Sequence, residues 1–259
     1  MEQNRRLDLA AFDAALTTRE VGRCVRYYES IPSTMDAARE AAAEGLPHGT
    51  LVFAEEQTAG RGRRGRSFYS PSGENLYFTF VLRLPLALHR RLPVILPLAV
   101  ARAIRAESVD AQIKWPNDIW ISDRKVCGML IDGELTYDGG LAFPGIGVNV
   151  NGDPTENPDL ADIATSLAKE LGSDLSREKL LARICNELES LLAMPMPELV
   201  SEYRQLSCTL GRPVTVAPTG GAPFEAKAMS ISDDGELMVR GENGLVVAVN
   251  AADVSIRPR

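Results

Sequence analysis

Histidine and cysteine are scarce in this chain of 259 residues, and its net charge is negative. Its only two histidines, His48 and His89, disfavour any histidine-rich metal site, so no protein-held metal is predicted. The four cysteines lie far apart and form no C-x-x-C pair. This spacing is typical of reduced, packed thiols in a cytoplasmic protein, and the predicted location is therefore the cytoplasm.

Long apolar segments are also missing. The most apolar run, "LPVILPLAVA" from Leu92 to Ala101, is much shorter than the roughly 20 residues of a membrane helix. The N-terminus lacks the apolar core of a signal peptide. A net charge of −7 disfavours generic binding to nucleic acid or an anionic membrane, because the long-range field repels a polyanion. We therefore expect neither DNA nor a membrane as a partner.

The apolar patterning predicts an α+β fold with a mixed or antiparallel sheet. Two strong strands flank a glycine- and arginine-rich loop, and "YDGG" predicts a hairpin turn between two later strands. Pro116 separates two short strands because proline cannot donate to a sheet ladder. Helices are predicted at Ser30–Gly45, Pro93–Glu107, Ser176–Ala193 and Pro197–Ser207, and strands at Thr50–Glu56, Glu74–Leu84, either side of Pro116, "RKVCGMLIDGEL" and "GLAFPGIGVNVN".

From Leu210 the pattern changes to short β runs separated by turns. This change predicts a small C-terminal β-barrel that is sequentially separate from the α/β part. The expected domains are therefore residues 1–208 and residues 209–259.

The loop "QTAGRGRRGRSF", residues 57–68, satisfies G-x-G-x-x-G. A dinucleotide-binding turn is rejected, because a strand and not a helix follows, and Pro85 occupies the position expected for the ribose-binding acid. Three interpretations stay open from the residues alone: a solvated hairpin loop, an RNA-binding arm, and a site for a small anion. Glycines allow close backbone approach and arginines offer forked donors, so the residue types are suited to the last interpretation, which requires partners elsewhere in the chain.

Other candidates follow in "KWPNDIW" and beyond. Lys114, Asn117 and Asp118 surround the bend at Pro116, and Lys125 begins the next predicted strand. Taken singly, these residue types are typical of turns and solvated strand edges.

In this order, "STMDAA", "EEQTAGRGRRGRSF", "KWPNDIW", "RKVCGMLID" and "GIGVNVN" resemble the biotin–protein ligase family. The resemblance covers roughly Tyr28 to Asn151, and the C-terminal β module fits the family's small SH3-like barrel. It implies an enzyme that activates biotin with MgATP to biotinyl-5′-AMP and transfers biotin to a lysine of a biotin carboxyl carrier protein. ATP and Mg²⁺ are then co-substrate and activator, with no tightly bound cofactor.

The resemblance also implies roles for individual residues. Those expected to be catalytic are Lys125, Arg63 and Asp118. The expected biotin-binding residues are Ser33, Thr34, Gln57, Gly60, Arg61, Gly62, Arg63, Lys125 and Gly128. The expected ATP-binding residues are Arg63, Arg66, Phe68, Asn117, Lys125 and Asn149. The glycines are expected to keep the loop mobile until biotin arrives. Cys127 is expected to be a packed small residue, because no enzyme nucleophile is required.

Three features depart from the family pattern. Phe68 stands where tryptophan is common, and Met35 stands where a polar residue often follows Ser-Thr. The segment before "RYYESIPST" is too short for the family's DNA-binding domain, so a ligase without repressor function is expected. A homodimer formed by strand pairing is possible on family precedent. The alternatives are a lipoate or octanoate ligase, a catalytically silent biotin-binding protein and, most distant, an RNA-binding module.

Overall fold

The computed structural model describes residues 6–137, 139–218, 221–250 and 254–258. Its helices are α1 (Leu9–Ala15), α2 (Thr34–Ala43), α3 (Leu86–His89), α4 (Leu92–Arg105), α5 (Leu167–Leu171), α6 (Arg177–Leu192) and α7 (Met196–Leu206). Its strands are β1 (Val25–Ile31), β2 (Thr50–Gln57), β3 (Leu76–Leu84), β4 (Gln112–Lys114), β5 (Asp118–Ile121), β6 (Arg124–Thr136), β7 (Gly139–Val148), β8 (Pro213–Pro218), β9 (Phe224–Ile231), β10 (Leu237–Gly241), β11 (Val246–Val249) and β12 (Val254–Pro258).

A seven-stranded sheet with the order β1-β2-β3-β7-β6-β5-β4 forms the centre of the larger part. Strands β1 and β2 are parallel, and the other pairs are antiparallel. Helix α2 makes the crossover that a parallel pair needs, and its alanines are buried against β2 and β3. The predicted α+β class with a mixed sheet is confirmed.

Helix α4 is the centre of the apolar core and packs against α6 and α7. Nearly all its side chains are buried. Packing of these side chains stabilises the helix although Pro97 lies inside it. Arg102 is half-buried between α6 and α7, where it forms ion pairs with Glu187 and Glu202.

The predicted hairpin of β6 and β7 is confirmed, with pairing from Cys127 and Val148 to Thr136 and Gly139. Strand β7 ends at Val148, so Asn149 and the residues after it lie beyond the strand. The short strands β4 and β5 are also confirmed, and they are joined through a cis Trp115–Pro116 bond.

The C-terminal strands form a five-stranded antiparallel sheet with the order β11-β10-β9-β8-β12. The predicted all-β module is confirmed. In the described part of the chain, β11 and β12 are the two edge strands of this sheet and do not pair with each other. The module packs against the β4–β5 turn, because Trp115 Nε1 donates to Gly235 O at 3.2 Å. The sequence did not predict α1, β1 or α5.

Candidate active site

Two adjoining cavities lie where the glycine–arginine loop crosses the β5–β6–β7 face of the sheet. The smaller, of ≈ 50 Å³, lies between the start of α2 and the strands β6 and β7. The larger, of ≈ 740 Å³, extends from the β4–β5 turn to the segment after β7. Five residues line both cavities and so mark their junction: Gly62, Arg63, Phe68, Asn117 and Lys125.

The smaller cavity ends at a buried polar network. Ser33 caps α2 and accepts a hydrogen bond from Met35 N at 3.3 Å. Thr34 donates through N and Oγ1 to Gln57 Oε1, both at 3.0 Å. Gln57 Nε2 in turn donates to Ser70 Oγ at 3.2 Å, so the amide of Gln57 is held in one orientation. Thr79 Oγ1 joins the network 2.9 Å from Thr34 Oγ1.

Met35 supplies an apolar wall beside this network. Its side chain is buried, and a β-carbon on Gly145 would lie 3.0 Å from Met35 Sδ. The methionine therefore packs directly on a glycine of β7. This agrees with the expectation from its chemistry that position 35 makes no polar side-chain contact.

The glycine–arginine loop folds as a small hairpin around the 3₁₀ turn Arg63–Gly65. Arg61 and Ser67 form an isolated bridge, and Gly62 N donates to Arg66 O at 2.7 Å. Gly60 closes the base of the hairpin, where a β-carbon would lie 2.6 Å from Phe68 O. Gly60 thus shapes the loop but lies outside the lining of both cavities.

The arginines of the loop have different environments. Arg61 lines the smaller cavity and donates to Asp36 Oδ1 at 2.7 Å. Arg63 lies at the junction, where its Nη1 donates to Asn117 Oδ1 at 3.1 Å. Arg66 is exposed and lines only the larger cavity. Cations are therefore distributed along both cavities and concentrated where the cavities meet.

A carboxylate between two lysines forms the wall of the larger cavity. Asp118 Oδ1 lies 2.7 Å from Lys125 Nζ, and Asp118 Oδ2 lies 3.6 Å from Lys114 Nζ. The contact with Lys125 is an ion pair without hydrogen-bond geometry, so the buried Oδ1 accepts no hydrogen bond from the described residues. Burial lowers the pKa of Lys114, with the nearby Asp118 opposing part of this effect.

Phe68 separates the cavities and rests on two glycines. A β-carbon on Gly147 would lie 2.4 Å from Phe68 Cε1, and one on Gly128 would lie 3.1 Å from Phe68 Cε2. Lys125 Nζ lies 5.9 Å from the centre of the same ring. Glycine was expected at position 128 for close approach of the backbone to the ligand. In the structure, the Phe68 ring and the Lys125 side chain occupy the space that a side chain at position 128 would fill.

The two asparagines expected at the nucleotide differ in how their side chains are used. Asn117 accepts from Arg63 and donates through Nδ2 to Met129 O at 2.5 Å, so its carboxamide is engaged at both ends. Asn149 donates through Nδ2 to Thr165 O at 3.0 Å. Its Oδ1 accepts no hydrogen bond from the part of the chain that the structure describes. Asn149 lines the larger cavity.

Apart from Gly60, every site residue expected from the sequence lines at least one of the two cavities. The roles assigned to these residues stay predictions. Cys127 is fully buried, and burial raises the pKa of its thiol, which supports a packed residue and not a nucleophile. Thr79, Ser70 and Asn75 also belong to the site, and no role was predicted for them. Thr79 is a single polar residue in an apolar strand, and Ser70 and Asn75 lie in the connection before that strand, so the local sequence does not indicate their partners.

Two further observations concern metals and membranes. Among the residues that the structure describes, no three His, Cys, Asp or Glu side chains are grouped so as to hold a metal ion. Within the same residues, no helix has both the length and the apolar character required to cross a membrane.

Comparison with known proteins gives concordant matches. Residues 27–151 match the model of the Biotin/lipoate A/B protein ligase family, and residues 209–257 match that of the Biotin protein ligase C terminal domain. The Bifunctional ligase/repressor BirA of Bacillus subtilis is 33% identical over 249 residues, which cover 93% of this chain and 76% of that protein. The Biotin--[acetyl-CoA-carboxylase] ligase of Mycobacterium tuberculosis is 31% identical over 217 residues, covering 80% and 78% respectively.

Among solved structures, the biotin protein ligase from Aquifex aeolicus in complex with biotin and ATP superposes with a TM-score of 0.78 at 27% identity. The match covers 92% of this chain and all of that one. Together with the sequence matches, it confirms the family predicted from the motifs. The chain belongs to the biotin protein ligase family.

Proposed function

We propose that this protein joins biotin to ATP to form biotinyl-5′-AMP and pyrophosphate, and then transfers the biotinyl group to a lysine of a biotin carboxyl carrier protein. The observation that carries this proposal is the junction of the two cavities. Arg63 and Lys125 line both cavities, so two anionic substrates held in them would meet at these cations.

In the first step the biotin carboxylate attacks the α-phosphate, and pyrophosphate leaves. Both reactants are anions, so the barrier falls when fixed cations hold them together. We assign this role to Arg63 and Lys125, with Arg61 beside the biotin carboxyl and Arg66 beside the phosphates. Gly62 allows the backbone to approach the carboxyl end, and Gly60 shapes the base of the loop. The mobility of this loop stays a prediction.

At the other end of the smaller cavity, Ser33, Thr34 and Gln57 are assigned to the ureido group of biotin. Hydroxyl and amide groups match its C=O and N–H groups. The dithiolane of lipoate offers no such partners and would leave buried polar groups unpaired, which favours biotin over the lipoate and octanoate alternatives. The narrow cavity, of ≈ 50 Å³, implies that side chains such as Met35 and Phe68 move when biotin binds.

In the larger cavity, we assign Asn149 to the adenine edge, because its unengaged Oδ1 can accept from the exocyclic amine. Phe68 is assigned to stacking against the base or to closing the loop. Asn117 is retained as a nucleotide-site residue that acts by holding Arg63. Magnesium is proposed to arrive on the ATP phosphates, which fits the scarcity of clustered carboxylates in the described part of the site.

In the second step the amine of the carrier lysine attacks the acyl-adenylate, and AMP leaves. The attacking amine must lose a proton, and Asp118 Oδ1 is a buried carboxylate oxygen in an ion pair with Lys125 Nζ at 2.7 Å. We assign Asp118 to orient this amine and accept its proton. No thioester is proposed on Cys127.

Several finer assignments accompany this proposal. We propose that residues 1–208 are the catalytic domain and residues 209–259 the C-terminal domain, in keeping with the change from α/β to all-β structure. The cytoplasmic location and a homodimer stay predictions.

Biotin-dependent exchange of radiolabelled pyrophosphate into ATP tests the function. We expect exchange with biotin and none above background with lipoate or octanoate. Exchange with lipoate alone would reverse the choice of substrate. Biotin binding without any exchange would favour a silent biotin-binding protein.

A further inference from the structure

We propose that Asn75 is a positioning residue for the nucleotide, an inference that rests on the proposed assignment of ATP to the larger cavity. Asn75 lies just before β3 and is 4% exposed. Its carboxamide joins two segments that form walls of the larger cavity: residues 149–152, of which Asn149 and Gly152 line it, and residues 68–72, of which all but Ser70 line it.

The first wall is held by the carboxamide oxygen. Asn75 Oδ1 accepts hydrogen bonds from Val150 N at 2.8 Å and from Gly152 N at 3.2 Å. Between these two, Asn151 N donates to Glu74 O at 3.0 Å. The backbone amides of residues 150, 151 and 152 are thereby all held. Because these residues directly follow Asn149, they fix the position from which its side chain extends.

Gly152 fits this arrangement closely. A β-carbon there would lie 2.8 Å from Asn75 Nδ2. The carboxamide therefore fills the space that any other residue at position 152 would occupy, and the segment cannot move toward β3 without displacing it.

The second wall is held by the carboxamide nitrogen. Asn75 Nδ2 donates to Tyr77 Oη at 2.9 Å, and Tyr77 Oη donates to Pro71 O at 3.1 Å. The ring of Tyr77 meets Phe68 edge to face, with centroids 6.4 Å apart. One carboxamide thus connects the segment that carries Asn149 to the segment that carries Phe68.

The backbone of Asn75 is itself anchored in the core. Its carbonyl oxygen accepts from Arg177 Nη1 at 3.0 Å, and the same nitrogen lies 2.6 Å from Glu55 Oε2. Arg177 and Glu55 are both buried, and they connect α6 to β2. Oδ1 accepts two hydrogen bonds and Nδ2 donates one, so the carboxamide is engaged mainly by the protein, although Asn75 also lines the larger cavity. We therefore assign Asn75 to the walls that it holds.

This geometry predicts a split between the two substrates. The hydrogen bonds of Asn75 Oδ1 include none of Ser33, Thr34 and Gln57, which form the polar end of the smaller cavity. Only the second wall reaches that cavity, through Phe68 and through the hydrogen bond between Gln57 and Ser70. Loss of the carboxamide should therefore weaken ATP much more than biotin. We expect Asn75→Ala to raise the KM for ATP about 10-fold or more, the effect of one or two net hydrogen bonds, with the KM for biotin within about 2-fold of wild type.

The experiment compares three variants by biotin-dependent pyrophosphate exchange, with ATP and biotin varied separately, and by thermal unfolding. Tyr77→Phe keeps both hydrogen bonds of Asn75 Oδ1 and removes the link from Nδ2 through Tyr77 Oη to Pro71, so it should raise the KM for ATP by a smaller factor than Asn75→Ala. Asn186→Ala is the matched control, because its carboxamide also joins two backbone groups, Thr17 N at 2.9 Å and Ala15 O at 3.2 Å, away from both cavities. It should lower Tm without changing the KM for ATP.

Equal changes in the KM for ATP and for biotin would overturn the proposal, as would a wild-type KM for ATP in Asn75→Ala. If Asn75→Ala does not fold, Tyr77→Phe decides, and a wild-type KM for ATP in that variant refutes the role. Absence of exchange in the wild-type protein would instead refute the proposed function. Calorimetric titration of the same variants with ATP then tests Asn75 independently, and equal ATP affinity in wild type and Asn75→Ala overturns its role.

Discussion

Replacement of Lys125 by methionine separates the electrostatic role of this residue from its structural one. Methionine keeps most of the length and apolar stem of lysine but removes the ammonium group. That group lies 2.7 Å from Asp118 Oδ1 and at the junction of the two cavities. The substitution should therefore affect the reaction more than the fold.

The two effects differ in expected size. Removal of one preorganised group that stabilises charge in a transition state typically costs about 10²–10³ in rate, or roughly 2.7–4 kcal/mol. The fold loses an ion pair, but Asp118 keeps Lys114 at 3.6 Å. We therefore expect a fall of only about 1–3 kcal/mol in the free energy of unfolding.

Arg124 provides a matched control on the neighbouring position of the same strand. Its Nη2 lies 2.7 Å from Glu170 Oε1, and the side chains of this pair are 36% and 14% exposed. The corresponding values for Lys125 and Asp118 are 35% and 15%. Arg124→Met should therefore lose similar stability while keeping the rate of exchange, because Arg124 lines neither cavity.

The assay is biotin-dependent pyrophosphate exchange at saturating ATP and biotin, combined with urea unfolding of each protein. A rate within about 3-fold of wild type in Lys125→Met would refute the electrostatic role and leave Lys125 as a strand-edge residue, since the expected loss is far larger. An equal loss of exchange in Arg124→Met would assign the effect to stability.

Three further perturbations have defined outcomes. Gly147→Ala would place a methyl group 2.4 Å from the Phe68 ring, so we expect exchange to fall about 10-fold, with unchanged activity refuting the position of the ring. Cys127→Ala should keep near-wild-type biotin transfer to a carrier protein in a streptavidin blot, and loss of transfer with intact folding would contradict a packed role. Burial lowers the pKa of Lys114 below its ordinary 10.5. Between the lowered pKa and 10.5, the unfolded chain binds more protons at this residue than the folded chain does, so stability rises with pH. In urea unfolding, stability of the wild type relative to Lys114→Met should therefore rise as the pH approaches 10.5, whereas a constant difference would refute the shift.

The local parts of the fold were predictable because each had its own signal. Pro116 marks the break between β4 and β5, and "YDGG" marks the hairpin of β6 and β7. Strand β1 was missed because its residues are mostly half-buried or exposed, so it lacks a clear alternation of apolar and polar residues. Helix α1 was missed because its burial depends mainly on one residue, Phe12.

The candidate site was also predictable only in part. The motif resemblance implied that Arg63, Lys125 and Asp118 share one site, and these residues do line one cavity, in which Lys125 and Asp118 form an ion pair. It could not show that Asn117 is engaged by Arg63, since this contact joins residues 54 positions apart. Nor could it identify Asn75, whose partners include backbone amides 75 and 77 positions away. Such contacts depend on how strands are paired, which local sequence does not encode.

The shared wall of the two cavities has a consequence for inhibitor design. Among the described residues, Phe68 and four neighbours line both cavities. Under the proposed assignment of the two substrates, a compound with a biotin-like part and an adenosine-like part could therefore occupy both cavities through a short linker. Linking turns the second binding event into an intramolecular one at a high effective concentration, so the affinity of the compound can exceed that of either part by about 10²–10⁴. A neutral linker would also avoid the repulsion between two anions that the natural substrates must overcome.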